Sequence, residues 1–146
     1  DVQLVIIGRM ERHLDASVRD LINTLSNNGS IVYFDWIEND EIAQIYAGAL
    51  YYICTSTLDG ESIMLREAMA TGTPVIASTL LMPAVNQLAL EVKNPESVND
   101  WEVVLTRAII DKDKMIELSK EGKEWAKGKQ WSKTYLDFIS FINDQF

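Results

Sequence analysis

The sequence is poor in the residues that build metal sites and disulfides. It contains a single cysteine, Cys54, and a single histidine, His13, among 146 residues. One cysteine cannot form a disulfide within the chain, and this is typical of a reducing compartment, so we expect a cytoplasmic protein. One histidine and one cysteine are also too few for a zinc site or a Cys–His catalytic dyad. We therefore expect no bound metal.

The chain also lacks long apolar runs and an excess of positive charge. No apolar segment approaches the roughly 20 residues that a membrane-spanning helix requires, so we expect no integral membrane segment. The 22 acidic residues outnumber the 13 basic ones, and the net charge is −9. Such a surface repels nucleic acid, which we do not expect as a partner. A bound phosphate would need backbone N–H groups or a well-placed arginine.

Short β-branched and apolar runs alternate with segments of helical periodicity along the whole chain. We predict five strands, at Leu4–Ile7, Ile31–Phe34, 50–54, 75–77 and 89–92. The first is a continuous apolar run ended by Gly8, the pattern of a strand that is buried on both faces. The alternation predicts one domain over 1–146 with a Rossmann-like three-layer α/β/α fold and a parallel sheet of about five strands.

The part of the chain after the fifth strand has a helical pattern throughout. Asn94 stands directly before Pro95, an arrangement that typically begins a helix with a capping side chain and a proline at the first helical position. Interruptions near Asp111 and Gly128 divide the pattern. The last helix is predicted over 131–146.

Parallel strands joined by right-handed crossovers place the loops that follow them at one edge of the sheet, where open α/β sheets bind their ligands. The candidate site therefore comprises the segments 8–11, 35–37, 55–60 and 78–82. Arg9 follows the first strand at this edge and is a candidate for neutralising a phosphate.

The segment 56–78 is the most informative part of the sequence. Asp59 and Gly60 stand at a strand-to-helix turn, so the N–H groups that follow have no helical acceptor and suit a phosphate or a sugar hydroxyl. Glu67 follows Gly60 by seven residues, about 20° short of two full turns, so the two positions share a helix face. An acid at the mouth of the site and a second about two turns along that face can bind two parts of one elongated ligand.

This segment resembles the signature of the group 1 (family 4) retaining glycosyltransferases. The matching pattern is an acid at Asp59, seven residues, Glu67 followed by Ala-Met-Ala, and then Gly-Thr-Pro-Val-Ile-Ala-Ser from Gly72. The family has the GT-B fold, with a cleft between two Rossmann-like domains. The chain is similar to the C-terminal, nucleotide-sugar-binding domain. It begins at what looks like that domain's second strand, so the resemblance implies that the first strand and helix are missing.

The resemblance implies roles for individual residues. Glu67 matches the acid that hydrogen-bonds the ribose hydroxyls, and Asp59 matches the acid that contacts the donor sugar or supports charge at the reacting centre. Both are therefore candidate catalytic residues. The start of the helix matches the loop whose amides approach the sugar and the distal phosphate, and a turn after the second strand matches the one whose backbone meets the base. The residues expected to bind the nucleotide sugar are Arg9, Ile37, Gly60, Glu61, Ser62, Ile63 and Glu67.

The implied activity of the intact enzyme is transfer of a sugar, with retention, from a UDP- or GDP-linked donor. The acceptor, a saccharide, lipid or protein, would bind to a missing N-terminal domain. The family implies no cofactor and no obligatory metal, since the nucleotide sugar is a substrate. The chain alone is expected to be inactive.

Departures from the family pattern leave two alternatives open. Asp59 replaces the usual Glu, and Glu61 and Ser62 replace the usual aromatic residue and glycine. The first alternative is a non-catalytic Rossmann-like binding or interaction module with a degenerate donor site. The second is another GT-B enzyme, such as a nucleotide-sugar epimerase, which shares the fold and the class of ligand. Analysis of the product of a full-length protein distinguishes an epimerase from a transferase.

Overall fold

A computed structural model of the chain describes residues 2–11, 13–57, 62–129, 136 and 139–140. These residues form parts of two compact units, Asp1–Ile42 and Ala43–Phe146. The last helix predicted over 131–146 falls outside the described residues, apart from Leu136, Ile139 and Ser140. In the part of the chain that the structure describes, no helix is long and apolar enough to cross a membrane.

Strands and helices alternate along the described chain, as the sequence predicts. The strands are β1 (Leu4–Ile7), β2 (Ile31–Phe34), β3 (Tyr52–Cys54), β4 (Val75–Ser78) and β5 (Leu90–Val92). The α-helices are α1 (Ala16–Asn27), α2 (Asn39–Gly48), α3 (Ile63–Thr71), α4 (Val98–Ile110) and α5 (Lys112–Lys127). A 3-10 helix over Thr79–Val85 connects β4 to β5.

Every strand pair among the described residues is parallel, which confirms the α/β class with parallel strands. The hydrogen bonds group the strands into two sheets, with order β1-β2 and β3-β4-β5. The first sheet belongs to the unit Asp1–Ile42 and the second to the unit Ala43–Phe146. Each unit thus contains its own sheet, whereas the sequence pattern predicts one sheet of about five strands. The local pattern cannot reveal this grouping, because it specifies strands and not their partners.

In the first unit, β1 and β2 pair in register from Leu4 opposite Ile31 to Ile7 opposite Phe34. The prediction that β1 is buried on both faces is wrong, since Leu4 is 45% and Val5 43% exposed. An apolar run indicates a strand, but two strands with α1 packed against β2 offer too few neighbours within the unit to cover both faces.

Helix α1 of the first unit begins at Asp15. Its carboxylate accepts hydrogen bonds from the backbone N–H and the hydroxyl of Ser17, at 2.8 and 2.7 Å. The hydroxyl and then the backbone hydrogen bond hold the pKa of Asp15 below its ordinary value, because both stabilise the ionised carboxylate. Asp15 is therefore a charged cap at the positive end of the helix.

The core of the second unit forms around β4. All four residues of this strand are buried, as expected for a strand between two neighbours. Helices α4 and α5 pack their apolar residues against β4 and β5. The buried cluster on this part of the sheet consists of Ile76, Leu90, Val92, Ala108, Met115 and Leu118.

The start of α4 differs from the sequence prediction. Ser97 is the cap, because its hydroxyl accepts a hydrogen bond from the N–H of Asp100 and donates one to that residue's carboxylate. Asn94 instead accepts from the N–H of Glu96 through its side chain and from the N–H of Ser97 through its carbonyl. The prediction that Asn94 caps the helix with Pro95 at its first position is wrong. The Asn94 side chain closes a turn, and the reciprocal Ser97–Asp100 pair begins the helix three residues later.

The interruption predicted near Asp111 is present. Helix α4 ends at Ile110, and the carboxylate of Asp111 accepts a hydrogen bond of 3.0 Å from the N–H of Lys114 at the start of α5. Helix α5 then packs against α3 through Gly122, where an added Cβ would lie 3.1 Å from the Met69 methyl carbon. The close approach of these two helices fixes the position of α3, which carries the candidate site.

Candidate functional site

The ends of β3, β4 and β5 lie at one edge of the second sheet, since parallel strands run in the same direction. Two hydrogen bonds tie this edge together. The hydroxyl of Ser78, which is fully buried, donates to the carbonyl oxygen of Ser56 at 2.8 Å. The hydroxyl of Thr79 donates to the carboxylate of Glu91 at 2.5 Å. The sheet edge that the sequence predicts as the ligand site is therefore held together by side-chain hydrogen bonds. The sequence did not indicate these contacts.

Helix α3 begins at this edge and runs back along the sheet. Its buried face consists of Leu65, Ala68 and Met69, each at most 1% exposed. Ile63 and Glu67 are exposed and lie one turn apart, so they share the opposite face. The structure thus brings the start of α3 and the Glu67 carboxylate together on one exposed face of one helix.

The predicted site residues around the start of α3 are described only in part. The first residue of the helix is Ile63, three residues beyond Gly60 at the predicted strand-to-helix turn. Ser62 occupies the capping position and is 2% exposed. Its hydroxyl makes no capping hydrogen bond and has no hydrogen-bond partner among the described residues. Asp59, Gly60 and Glu61 lie outside those residues, so the roles predicted for them remain predictions.

The end of α3 is closed by the Thr-Gly-Thr-Pro segment. Gly72 adopts a left-handed conformation with φ of 91°, which a glycine reaches without steric cost. The N–H groups of Gly72 and Thr73 donate to the carbonyl oxygens of Met69 and Ala68, at 2.9 and 3.0 Å. This is the Schellman arrangement, which satisfies carbonyl groups at a helix end. The segment therefore ends α3 and directs the chain into β4.

Thr73 also connects the end of α3 to α2. Its buried hydroxyl donates to the carbonyl oxygen of Tyr46 at 2.5 Å and lies 2.9 Å from the hydroxyl of Thr71. The Thr71 hydroxyl lies 2.7 Å from the carbonyl oxygen of Ala68. A short chain of hydroxyls thus joins α2 to the turn of α3 that follows Glu67.

Tyr46, on α2, is a buried residue that Glu67 influences electrostatically, and the sequence did not reveal this relationship. Its side chain is 6% exposed, and its ring packs edge-on against Tyr52 with ring centres 5.4 Å apart. Burial raises the pKa of Tyr46, and electrostatic interactions with Glu67 and then Cys54 raise it further. The phenol therefore stays protonated within electrostatic reach of the Glu67 carboxylate. A tyrosine in an amphipathic helix carries no sequence signal for such a role.

Arg9 and Ile37 belong to the first unit. Arg9 is exposed and lines an open cavity of about 460 Å³ at the end of β1, together with Gly8, His13 and Tyr33. The Tyr33 hydroxyl donates to the carbonyl oxygen of Gly8 at 2.6 Å, which fixes one wall of this cavity. Ile37 is half-buried in the turn between β2 and α2. Contact of either residue with a ligand remains a prediction.

Metal-ligating side chains do not cluster in the described part of the chain, where no group of three or more His, Cys, Asp or Glu residues could hold a metal ion. The polar groups that the structure gathers at the edge of the second sheet are instead a helix start, hydroxyls and carboxylates. Such groups bind through hydrogen bonds.

These features define a Rossmann-like α/β protein with its candidate site at the carboxyl ends of parallel strands. The sequence matches the glycosyl transferases group 1 family over residues 1–125, and the chain belongs to this family. The resemblance that the Asp59 to Ser78 segment indicates is thereby confirmed.

Individual relatives agree with this assignment. An uncharacterized glycosyltransferase from Methanocaldococcus jannaschii is 28% identical over 106 residues, which cover 67% of this chain and 26% of the relative. Sucrose-phosphate synthase from Thermosynechococcus elongatus superposes with a TM-score of 0.79 at 23% identity, over 99% of this chain and 38% of that one. The pneumococcal O-GlcNAc transferase GtfA, solved with UDP and GlcNAc, superposes with a TM-score of 0.68 at 18% identity, over 98% of this chain and 29% of that one.

The solved structures show that this chain has the Rossmann-like fold of part of a GT-B glycosyltransferase. The chain spans about a quarter of the length of the curated relative and less than two fifths of either superposed structure.

Proposed function

We propose that this chain provides the nucleotide-sugar-binding part of a retaining glycosyltransferase. Glu67 accepts hydrogen bonds from the ribose hydroxyls, and the start of α3 binds the diphosphate end of the donor. Asp59, which the family pattern places beside the donor sugar, supports positive charge at the reacting carbon. In the whole enzyme, electrostatic stabilisation of the departing diphosphate would carry the catalysis.

The observation that carries this proposal is the composition of the exposed face of α3. The face begins with backbone N–H donors and the positive end of the helix dipole, which attract a phosphate. Four residues beyond Ile63, or about 6 Å along the axis, it presents the Glu67 carboxylate, an acceptor for hydroxyls. A ligand that pairs an anionic group with neighbouring hydroxyls matches this order, and a nucleoside diphosphate sugar has both.

The net charge of −9 supports a site that relies on local donors rather than on a basic surface. UDP is the nucleotide to test first, because the pneumococcal transferase that superposes on this chain was solved with UDP. GDP is the alternative base. We propose that no metal or cofactor takes part, since hydrogen-bond donors and one or two carboxylates suffice for the binding described.

Further features of the whole enzyme are part of the same proposal. A second domain, outside this chain, would bind the saccharide, lipid or protein acceptor, and this chain alone would not catalyse transfer. The cytoplasm is the proposed location, because a single buried cysteine, Cys54, suits a reducing compartment. Retention at the anomeric carbon is proposed from the family pattern around Asp59 and Glu67.

Calorimetric titration of UDP, GDP and their sugar forms into the chain tests the donor site. We expect one nucleotide to bind and Glu67→Ala to weaken its binding by about 1–3 kcal/mol, as for loss of hydrogen bonds to a charged group. Alanine is a good helix former, so this change leaves α3 intact. Glu102→Ala is the matched control, because it removes an exposed carboxylate from α4.

Equal binding by the wild-type chain and Glu67→Ala would contradict the role of Glu67. Absence of binding even at millimolar nucleotide would move the test to a longer chain with an added N-terminal strand and helix. Continued absence of binding by the longer chain would overturn the proposed donor site. The alternative of a non-catalytic binding or interaction module would then be favoured.

A further inference from the structure

Ser78 is the last residue of β4, the central strand of the second sheet, and its side chain is fully buried. Its hydroxyl donates a hydrogen bond of 2.8 Å to the carbonyl oxygen of Ser56, which follows the end of β3 by two residues. In the described part of the chain, no other donor to this carbonyl oxygen is found. Ser78 therefore holds the connection between β3 and α3 at its first end.

The Ser78 side chain does not serve the helix that it precedes. Ser78 occupies the capping position of the 3-10 helix over Thr79–Val85, with φ −64° and ψ 153°, yet its side chain makes no capping bond there. A serine in that position normally accepts a hydrogen bond from an N–H of its own helix. The next residue, Thr79, donates toward the other neighbouring strand, to Glu91 of β5. The Ser78 hydroxyl is thus used for the connection between β3 and α3.

We propose that Ser78 is a positioning residue of the donor site. Its hydroxyl fixes the Ser56 peptide, and through the five residues that follow Ser56 it fixes the start of α3 for the diphosphate end of the donor. The assignment rests on the proposed function. It adds to the site a residue that contacts no ligand and acts through the backbone of another segment.

The connection between β3 and α3 is held at both of its ends. Ser56 is bound at the first end. At the second end Ser62 is 2% exposed, and its carbonyl oxygen accepts a hydrogen bond of 3.4 Å from the N–H of Arg66. A connection of this length is usual between a strand and a helix. Because it is short, a change in the direction of the Ser56 peptide reaches the first turn of α3, whose N–H groups have no acceptor within the helix.

Loss of the Ser78 hydroxyl frees the Ser56 peptide and leaves the core intact. Ser56 is exposed, so its carbonyl oxygen can bond water when Ser78 no longer donates. Water does not hold the peptide in one direction, and the peptide then samples several orientations. Ser78→Ala removes a single oxygen atom from the buried strand. We therefore expect a looser start of α3 in a protein that keeps its fold.

Amide hydrogen exchange of the ligand-free chain, followed by mass spectrometry, tests the positioning. In Ser78→Ala we expect exchange over residues 62–67 to become about three- to tenfold faster, as for loss of one neutral hydrogen bond. Exchange over residues 68–73, at the other end of α3, should change by less than about twofold, because local opening is confined to the segment that loses its contact.

Ser119→Ala is the matched control. The Ser119 hydroxyl, on α5, donates to the carbonyl oxygen of Gly72 at 2.5 Å, directly after α3. Each variant thus removes a serine hydroxyl that donates to a backbone carbonyl, and the two carbonyls lie beyond opposite ends of the same helix. Ser119→Ala should speed exchange over residues 68–73 and leave residues 62–67 unchanged.

Calorimetric titration with UDP and UMP, or with GDP and GMP if the base is guanine, tests the role in binding. We expect Ser78→Ala to weaken binding of the diphosphate about three- to tenfold and that of the monophosphate less than about twofold. The reason is that the monophosphate lacks the phosphate that lies nearest to the start of α3 in the proposed function. Ser119→Ala should leave both affinities unchanged, because the start of α3 stays in place.

Each result decides for or against Ser78. Unchanged exchange over residues 62–67 in Ser78→Ala overturns the assignment. Faster exchange with unchanged diphosphate affinity also overturns it, because the bond is then only structural, and the proposed donor site stands without it. The same holds for an equal loss of diphosphate affinity in Ser119→Ala, or for equal losses with diphosphate and monophosphate. If the wild-type chain binds no nucleotide, the proposed function fails and the role of Ser78 fails with it.

Discussion

The hydroxyl of Thr73, just after α3, donates a hydrogen bond of 2.5 Å to the carbonyl oxygen of Tyr46, which precedes it by 27 residues in α2. This contact, between two residues of the second unit, joins α2 to the turn that follows α3. The Tyr46 carbonyl also accepts from the N–H of Ala49, so Thr73 adds a second partner and is not its sole one. The position of the site helix therefore depends on a residue that contacts no ligand in the proposed function.

We predict that Thr73→Val destabilises the protein by about 1–2 kcal/mol. The change removes a buried hydroxyl that serves two partners and keeps a side chain of similar shape. The measurement is the free energy of unfolding from chemical denaturation. Thr106→Val, at an exposed position of α4, is the control and should stay within about 0.5 kcal/mol of the wild type. Equal effects of the two changes would mean that the Thr73 bond contributes nothing.

The left-handed conformation of Gly72 predicts a cost for any side chain there. Gly72→Ala should lower the free energy of unfolding by about 1 kcal/mol, because φ of 91° is strained for alanine. Its new Cβ would lie 3.3 Å from the Lys123 side chain, which is flexible and can move. Gly48→Ala provides the comparison, since an added Cβ there meets no atom within 4 Å and φ is not left-handed. That variant should be as stable as the wild type or more so, and the reverse order would contradict the interpretation.

A turn with two left-handed, non-glycine residues follows the 3-10 helix. Asn86 and Gln87 have φ of 53° and 63°, and the N–H of Leu88 closes the turn on the carbonyl oxygen of Val85 at 2.9 Å. Two consecutive left-handed residues are the pattern of a type I′ turn, which favours asparagine followed by glycine. Gln87→Gly should therefore raise the free energy of unfolding by about 0.5–1 kcal/mol, as measured by chemical denaturation.

Asn86→Gly is the internal control for this turn. Asparagine tolerates the left-handed region better than glutamine, so the gain at Asn86 should be smaller. A larger gain at Asn86 than at Gln87 would show that backbone strain does not decide the effect.

The raised pKa of Tyr46 predicts how stability depends on alkaline pH. The folded state holds the phenolic proton more tightly than the unfolded state, mainly through burial and then through electrostatic interactions with Glu67 and Cys54. This contribution to stability is fully present below the unfolded pKa of 10.0 and is lost as the pH rises through the folded value. Tyr46→Phe should therefore show a smaller fall in the free energy of unfolding above about pH 10 than the wild type.

Glu67→Gln tests whether the charge of Glu67 contributes to the raised pKa of Tyr46. It removes a negative charge that raises the Tyr46 pKa but leaves the burial of the ring, so its alkaline loss should lie between those of the wild type and Tyr46→Phe. Denaturation curves at a series of pH values between about 8 and 12 give the comparison. An alkaline loss in Glu67→Gln equal to that of the wild type would show that Glu67 does not raise the Tyr46 pKa, and a Tyr46→Phe profile equal to the wild type's would show that Tyr46 does not contribute.

The sequence predicted the elements that depend on local pattern. The bounds of β1 and β2 agree with the prediction. Apolar runs and periodicity extend over only a few residues, so the sequence shows them directly. The start of α4 was misplaced because Asn94 and Ser97 are both good capping residues, and only the partner at Asp100 decides between them.

The sequence likewise predicted only part of the candidate site. The Asp59 to Ser78 segment predicted the family, which the match over residues 1–125 confirms, and it singled out Glu67. It did not indicate Tyr46, the unsatisfied hydroxyl of Ser62 or the Ser78–Ser56 bond, because these depend on residues distant in the chain or on what surrounds a side chain.

The sequence by itself determined the α/β class, the order of strands and helices, and the family. These follow from periodicity and from residue types at fixed spacing, which the chain carries whatever its conformation. The tertiary structure alone decided the grouping of strands into two sheets, the exposure of β1 and the contacts that hold α3 at the sheet edge. Burial and hydrogen bonding between distant residues depend on which segments meet in space, and no local pattern specifies that.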